Sequence, residues 1–198
     1  MREFIIENGV LTKYNGYKGT ATIPREVTRI GKNAFAGNTT LTRVYMIYNV
    51  EFIEEEAFRD CASLREIFFP VRLSYIGRCA FAGCSSLKEA VIPKQVGKID
   101  DGAFMDCVSL RRVVLPDKLG NIGQSAFAGC SSLEEIVIPR ATRYIRKRAF
   151  KDCRSLRSVR MSDFLGMIEE QAFCGCESLK EINVPDSVFF IGDGAFSE

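Results

Sequence analysis

The sequence predicts an α/β solenoid: a right-handed superhelix of short stacked repeats, with a parallel β-sheet along one face and short helical or 3-10 turns along the other. Three observations predict it. The dipeptide Ala-Phe recurs at Ala34-Phe35, Ala57-Phe58, Ala80-Phe81, Ala103-Phe104, Ala126-Phe127, Ala149-Phe150, Ala172-Phe173 and Ala195-Phe196, always at the same step and with no insertion or deletion. An Ile stands four positions before every one of these Ala residues, from Ile30 to Ile191, and a Leu seven positions after all but the last, from Leu41 to Leu179. All six prolines share one register, from Pro24 to Pro185, with Ile47 and Ser162 in the two copies that lack one.

The unit reads V-x-x-I-G-x-x-A-F-x-x-C-x-S-L-x-x-V-x-I-P-x-x. Residues 1–26 are expected to form an N-terminal cap and first strand. Seven full repeats follow over 27–187, and 188–198 begin an eighth, all in a single domain. In the cap, two apolar segments flank Asn8-Gly9, a type I′ hairpin signal. In each repeat L-x-x-V-x-I alternates as a half-buried strand does, and Pro stops it because Pro cannot donate to a ladder. The stretch I-G-x-x-A-F-x-x-C is long enough for one helical or 3-10 turn. Such a unit cannot bury its apolar side alone, so copies stack about 4.8 Å apart. Parallel crossovers are right-handed as a rule.

Net charge is +2, which gives no reason to expect nucleic acid as a partner. No apolar run is long enough for membrane insertion. The start, Met1 to Glu7, is too short and too acidic for a signal peptide, so either the chain stays in the cell or a secretion segment has been removed. The chain has no His, which removes the commonest general base and a favoured metal ligand.

The pattern resembles the leucine-rich-repeat class typified by the bacterial surface antigen BspA, whose repeat carries the same I-G-x-x-A-F-x-x-C-x-x-L-x-x-I-x-I-P run. The resemblance covers residues 21 to 196. The opening Phe4–Tyr14 is similar to that class's N-terminal cap. Unlike the commoner leucine-rich repeats, the chain has no Asn or Cys column beyond the strand; Asn49, Arg72, Gln95 and Lys118 stand there. The resemblance implies a binding or adhesion role, at the cell surface or secreted if a signal peptide preceded Met1 and in the cytoplasm if Met1 is the native start. It implies no catalytic residue, and no cofactor is expected.

Several residue columns invite chemistry. Cys61, Cys84, Cys107, Cys130, Cys153 and Cys176 fall one per repeat, which suits buried thiols better than zinc, since zinc needs four ligands converging on one point. Asn38 takes this place in the first copy. Ser63, Ser86, Ser109, Ser132, Ser155 and Ser178 have no partner base and read as turn caps. Glu54-Glu55-Glu56, Asp100-Asp101 and Glu169-Glu170 could suggest calcium or a glycosidase pair, but they lie where a helical turn would start and negative charge suits a helix N-terminus. Three residues after each Ala runs Gly37, Asp60, Gly83, Asp106, Gly129, Asp152, Gly175, an alternation that suggests either descent from a duplicated two-repeat unit or alternating bulk along the convex face.

The expected binding face is the sheet. Between the inward Val and Ile, the residues Tyr45, Phe68, Val91, Val114, Val137 and Arg160 point outward, an apolar stripe closed by a cation and then Asn183. Two positions earlier, Arg43, Glu66, Glu89, Arg112 and Glu135 form a charged border. Such a face suits a protein partner, from host matrix or a bacterial surface, with a glycan also open. β-Propensity alone would also favour Val, Phe and Tyr there. Phe52, Tyr75, Tyr144 and Phe190 are expected to pack between the arcs of the coil. The C-terminus, Phe196-Ser197-Glu198, has no capping pattern, so self-association through that end is a second expectation.

Overall fold

A computed structural model describes residues 2–198. The chain climbs as a parallel β-solenoid of about eight turns carrying two sheets, not one. The front sheet holds the L-x-x-V-x-I segments, as expected, with three-residue strands at Thr20–Thr22, Arg43–Tyr45, Glu66–Phe68, Glu89–Val91, Arg112–Val114, Glu135–Val137 and Ser158–Arg160. The back sheet is longer in strand number. Ten strands run in order from the Phe4–Glu7/Val10–Tyr14 hairpin, through two-residue strands at Arg29–Ile30, Phe52–Ile53, Tyr75–Ile76 and onward to Phe190–Ile191. Their pairing is rung to rung and in register, Ile30 with Ile53 and Ile53 with Ile76. The Asn8-Gly9 hairpin is antiparallel, and both residues are left-handed, at φ +51° and +78°.

The expected helical or 3-10 face is absent; no helix of either kind occurs among the described residues. One rung shows why. The N–H groups of Ala80, Ala82 and Cys84 donate three residues back, to Gly77, Cys79 and Phe81. Those between them, Cys79, Phe81 and Gly83, donate to Asp101, Ala103 and Met105 of the next rung, at 2.8–2.9 Å. A helix needs every N–H for itself. Here alternate ones leave the turn. Cys79 and Gly83, four positions apart, both have positive φ. That left-handed conformation occurs in no right-handed helix.

The core is a set of stacked columns. Phe35, Phe58, Phe81, Phe104, Phe127, Phe150 and Phe173 are fully buried, and together with Phe196 their rings stack at 4.5–5.5 Å between centroids. Tyr14 of the cap lies beneath Phe35 at 4.8 Å and closes the column at that end. Burying each ring contributes roughly 2–3 kcal/mol and stacking adds roughly 0.5–1.5 kcal/mol.

The Gly/Asp alternation has a steric cause. All seven positions are left-handed. A Cβ at Gly83, Gly129 or Gly175 would stand 2.2, 2.3 or 2.5 Å from the Oδ1 of Asp60, Asp106 or Asp152, one rung earlier. Each Asp side chain leans over the next rung and fills the space a Cβ would need. The front sheet follows the same two-rung period, opening between Phe68 and Val91 and again between Val114 and Val137. Ile67, Val113 and Val159, on the last strands of the three segments, are each 8% exposed, whereas Val44, Ala90 and Ile136 are sealed.

Gly129→Ala is expected to lower the thermal midpoint, through left-handed strain of about 1 kcal/mol plus the clash with Asp106. Asp106→Gly in the same chain should relieve the clash and leave only the backbone strain. Additive effects in a double-mutant cycle followed by circular dichroism would contradict this packing.

Candidate functional site

The stripe expected from the sequence is on the outer surface of the front sheet. Phe68, Val91, Val114 and Val137 are 48%, 52%, 36% and 47% exposed, and Arg160 is exposed beyond them. Pairing sets Tyr45 beside Phe68, Val91 beside Val114 and Val137 beside Arg160. Tyr45 is half-buried because its ring stacks on Phe68, with centroids 4.7 Å apart and planes 7° from parallel. The charged border is largely self-neutralised. Arg43 pairs with Glu66 at 3.0 Å and Arg112 with Glu89, each across one strand step, while Glu135 faces Ser158.

Where the sheet opens between Glu66–Phe68 and Glu89–Val91, a surface hollow of about 520 Å³ forms. Its walls are apolar at Ile67, Phe68, Phe69 and Val91, with Arg65, Lys88 and the two glutamates at the rim. Phe69 takes the strand-end place held by Met46 and Ile92 in neighbouring rungs, and its ring meets Phe81 edge-on at 5.7 Å. The second opening, between Val114 and Val137, holds a smaller hollow of about 310 Å³ flanked by Arg112, Glu135 and Arg160. The sequence does not reveal either hollow, because both come from missing strand pairing rather than from a residue pattern. The basic column Arg65, Lys88, Arg111 is legible in the sequence as the first residue after the column Leu.

The other columns resolve into structure. The six column thiols donate to the carbonyls of Phe35, Phe58, Phe81, Phe104, Phe127 and Phe150 one rung earlier, at 3.1–3.3 Å. Asn38, in the same place, accepts from the N–H of Thr40 and Leu41. All eight Cys are free thiols. Burial pushes Cys61 and Cys176 up to about 12 and raises Cys84, Cys107, Cys130 and Cys153 well above the usual thiol value. No group of three or more potential metal-binding side chains occurs among the described residues.

Three expectations are corrected. The Ser column does not cap turns: no hydrogen bond from its hydroxyls occurs among the described residues, and the bonds come from its backbone, as Ser109 N–H to Ser85. The acidic clusters meet no helix N-terminus, since there is no helix. Two of them instead form rung-to-rung ion pairs, Arg29–Glu54 at 2.6 Å, Arg78–Glu55 at 2.7 Å and Lys147–Glu170 at 2.8 Å, while Asp100 pairs with Lys98 of its own rung at 3.0 Å. Hydrogen bonds from Lys32 and Arg78 hold Glu55 below its usual value. Phe52, Tyr75, Tyr144 and Phe190 do not pack between arcs. They sit on the outer side of the back sheet, where Arg29 covers Phe52 at 4.4 Å and Tyr75 hydrogen-bonds Asp100 at 2.9 Å.

The fold and its columns define a leucine-rich-repeat solenoid. The BspA type leucine rich repeat region matches in six copies, over residues 14–133 and 97–198, and the chain belongs to that family. The solved T. pallidum leucine rich repeat protein is similar, with 31% identity and a TM-score of 0.66 over 92% of this chain and 77% of that one. A Eubacterium ventriosum leucine-rich repeat protein is 25% identical with a TM-score of 0.67; the match covers 96% of this chain but only 46% of that one. A Bacteroides ovatus protein of the same description shows 25% identity and a TM-score of 0.58, over 95% and 74%. No curated protein matches. Leucine-rich-repeat proteins are generally interaction or structural modules. No helix among the described residues is long and apolar enough to cross a membrane.

The thiols supply a check. In the native protein only Cys79 and Cys174, the two outside the column, should react quickly with Ellman's reagent, and all eight should react in denaturant. The buried thiols also set a pH limit. Their folded values lie above the unfolded value near 9, so between the two the native state holds more protons than the unfolded one. Their stabilisation is complete below about pH 9 and is lost as pH rises toward 12. A thermal midpoint that does not fall from pH 8.5 to 10.5 would contradict their burial.

Proposed function

We propose that the chain is a non-enzymatic protein-binding module that uses the front sheet, with adhesion at a bacterial surface as its setting. The observation that carries the reading is the run Phe68, Val91, Val114 and Val137. These are four consecutive rungs of outward apolar side chains, each at least 36% exposed, beside an apolar hollow. A soluble surface tolerates scattered apolar residues, whereas a contiguous strip with a polar rim is the composition of an interface core. The back sheet has aromatic residues too, but Arg29 and Arg146 cover two of them.

The second reading is a structural element that associates with its own copy. Phe189, Phe190 and Ile191 of the last rung are 77%, 46% and 50% exposed, while the corresponding Ile of earlier rungs is sealed.

The test compares the chain with its Val91→Glu, Val114→Glu variant in capture from host matrix proteins and bacterial surface extracts. Both positions are exposed, so the variant should melt within a few degrees of the parent. The expected outcome is capture by the parent and at least about tenfold weaker capture by the variant, the loss of two interface anchors. Equal capture by both would contradict the front-sheet reading. Concentration-dependent association in light scattering, abolished by Phe189→Ser with Phe190→Ser, would favour the second reading.

A further inference from the structure

Three columns of side chains run parallel to the stack, two on the front sheet and one just before its strands. One is the apolar strip. The next, two residues earlier, cancels its own charge through the Arg43–Glu66 and Glu89–Arg112 pairs. The third lies one residue earlier still and carries Arg65, Lys88 and Arg111 on three successive rungs. All three are exposed, and none is ion-paired among the described residues. The next rung ends the column with Glu134, which takes Arg157 at 2.5 Å.

Like charges repeated every rung, about 4.8 Å apart at the backbone, repel one another. Elsewhere the molecule removes that cost by alternating sign up a column, as in Lys32–Glu55–Arg78 and Arg146–Glu169. The column Arg65, Lys88, Arg111 has no such relief, and it coincides in height with Phe68, Val91 and Val114. Arg65 and Lys88 also rim the hollow that Phe68 and Val91 line, beside Glu66 and Glu89, whose charges Arg43 and Arg112 already take. Over these rungs the sheet therefore presents uncompensated positive charge beside an apolar trough.

We infer that this face binds an acidic polypeptide segment bearing apolar side chains. Carboxylates lie on Arg65, Lys88 and Arg111, and an apolar side chain fills the hollow between Phe68 and Val91. This rests on the protein-binding reading above and names the chemistry of the partner. Guanidinium groups bind carboxylates through paired hydrogen bonds. A sulfated glycan would satisfy the cations but leave the apolar strip uncovered, and a neutral peptide would cover the strip but leave the cations facing one another. Binding through exposed cations is screened by salt.

The test is a fluorescence-anisotropy titration of the whole chain with a labelled dodecapeptide in which leucine recurs every third residue among glutamates. Its glutamine analogue and heparin serve as comparison probes. The glutamate peptide should bind at low salt, and raising the salt to about 0.5 M or replacing glutamate by glutamine should weaken it about tenfold or more. The Arg65→Glu, Lys88→Glu, Arg111→Glu variant should weaken it at least as much, and Arg65→Gln, Lys88→Gln, Arg111→Gln should weaken it in the same direction. A control with the same change of charge on the loops of these rungs, Arg72→Glu, Lys94→Glu, Lys118→Glu, should change it less than about twofold. Loss with Val91→Ser, Val114→Ser but not with charge reversal overturns the acidic preference and leaves the front-sheet reading standing. Retention by both variants overturns both readings. Absence of binding to the parent, equal binding of the glutamine peptide, equal loss in the control, or binding of heparin without the peptide each overturns the inference.

Discussion

The structure depends on where alternate backbone N–H groups of the turn point. In every rung but the last, one N–H closes the turn and the next crosses to the following rung, as Phe58 does to Ala80 and Phe81 to Ala103, at 2.7 and 2.8 Å. That crossing sets the rise of the stack and stops the turn from becoming a helix. It also fixes the Phe rings directly above one another. The carbonyl of each column Phe receives an N–H of its own turn and, in six rungs, a thiol from the next rung, as Phe35 does from Asn38 and Cys61. A Cys suits that place because it is small, apolar enough to be sealed and still able to donate weakly. The repeat unit is thus built around satisfying buried backbone groups in a turn too tight to satisfy them alone.

The second level of order has twice the period. Asp60, Asp106 and Asp152 reach over Gly83, Gly129 and Gly175, so a rung with a leaning side chain must be followed by one with none. The front sheet breaks at the steps from Asp60 to Gly83 and from Asp106 to Gly129, and the hollows lie at those breaks. The hollows of the candidate binding face therefore fall on the same rung steps as the steric alternation on another part of each coil. The break at Phe68 is further shaped by Phe69, whose ring turns toward Phe81 and leaves the wall of the hollow apolar.

Charge follows a simple rule on most of the surface: a cation on one rung meets a carboxylate on the next. These pairs are exposed and each contributes little to stability, but they prevent the repulsion that a repeated sequence otherwise builds into every column. The uncompensated cations beside the apolar strip depart from that rule.

Much of this was legible in the sequence. The constant spacing of the Ala-Phe pairs determined a stacked solenoid, and the alternation in L-x-x-V-x-I determined which side chains face out; Phe68, Val91, Val114 and Val137 do so. Asn8-Gly9 determined the hairpin of the cap, and the one-per-rung Cys column determined that the thiols would be structural. The second sheet, the absence of helix, the rung-to-rung ion pairs and the two hollows were decided only in three dimensions. A repeat pattern records what one rung needs of its own residues, such as a face to bury or a turn to make. Those four features arise between rungs. A two-residue strand such as Tyr75–Ile76 has too little alternation to show. A turn's N–H finds its acceptor almost a whole repeat further along the chain, as Phe81 does at Ala103, and that carbonyl takes its position only once the coil has closed on its neighbour.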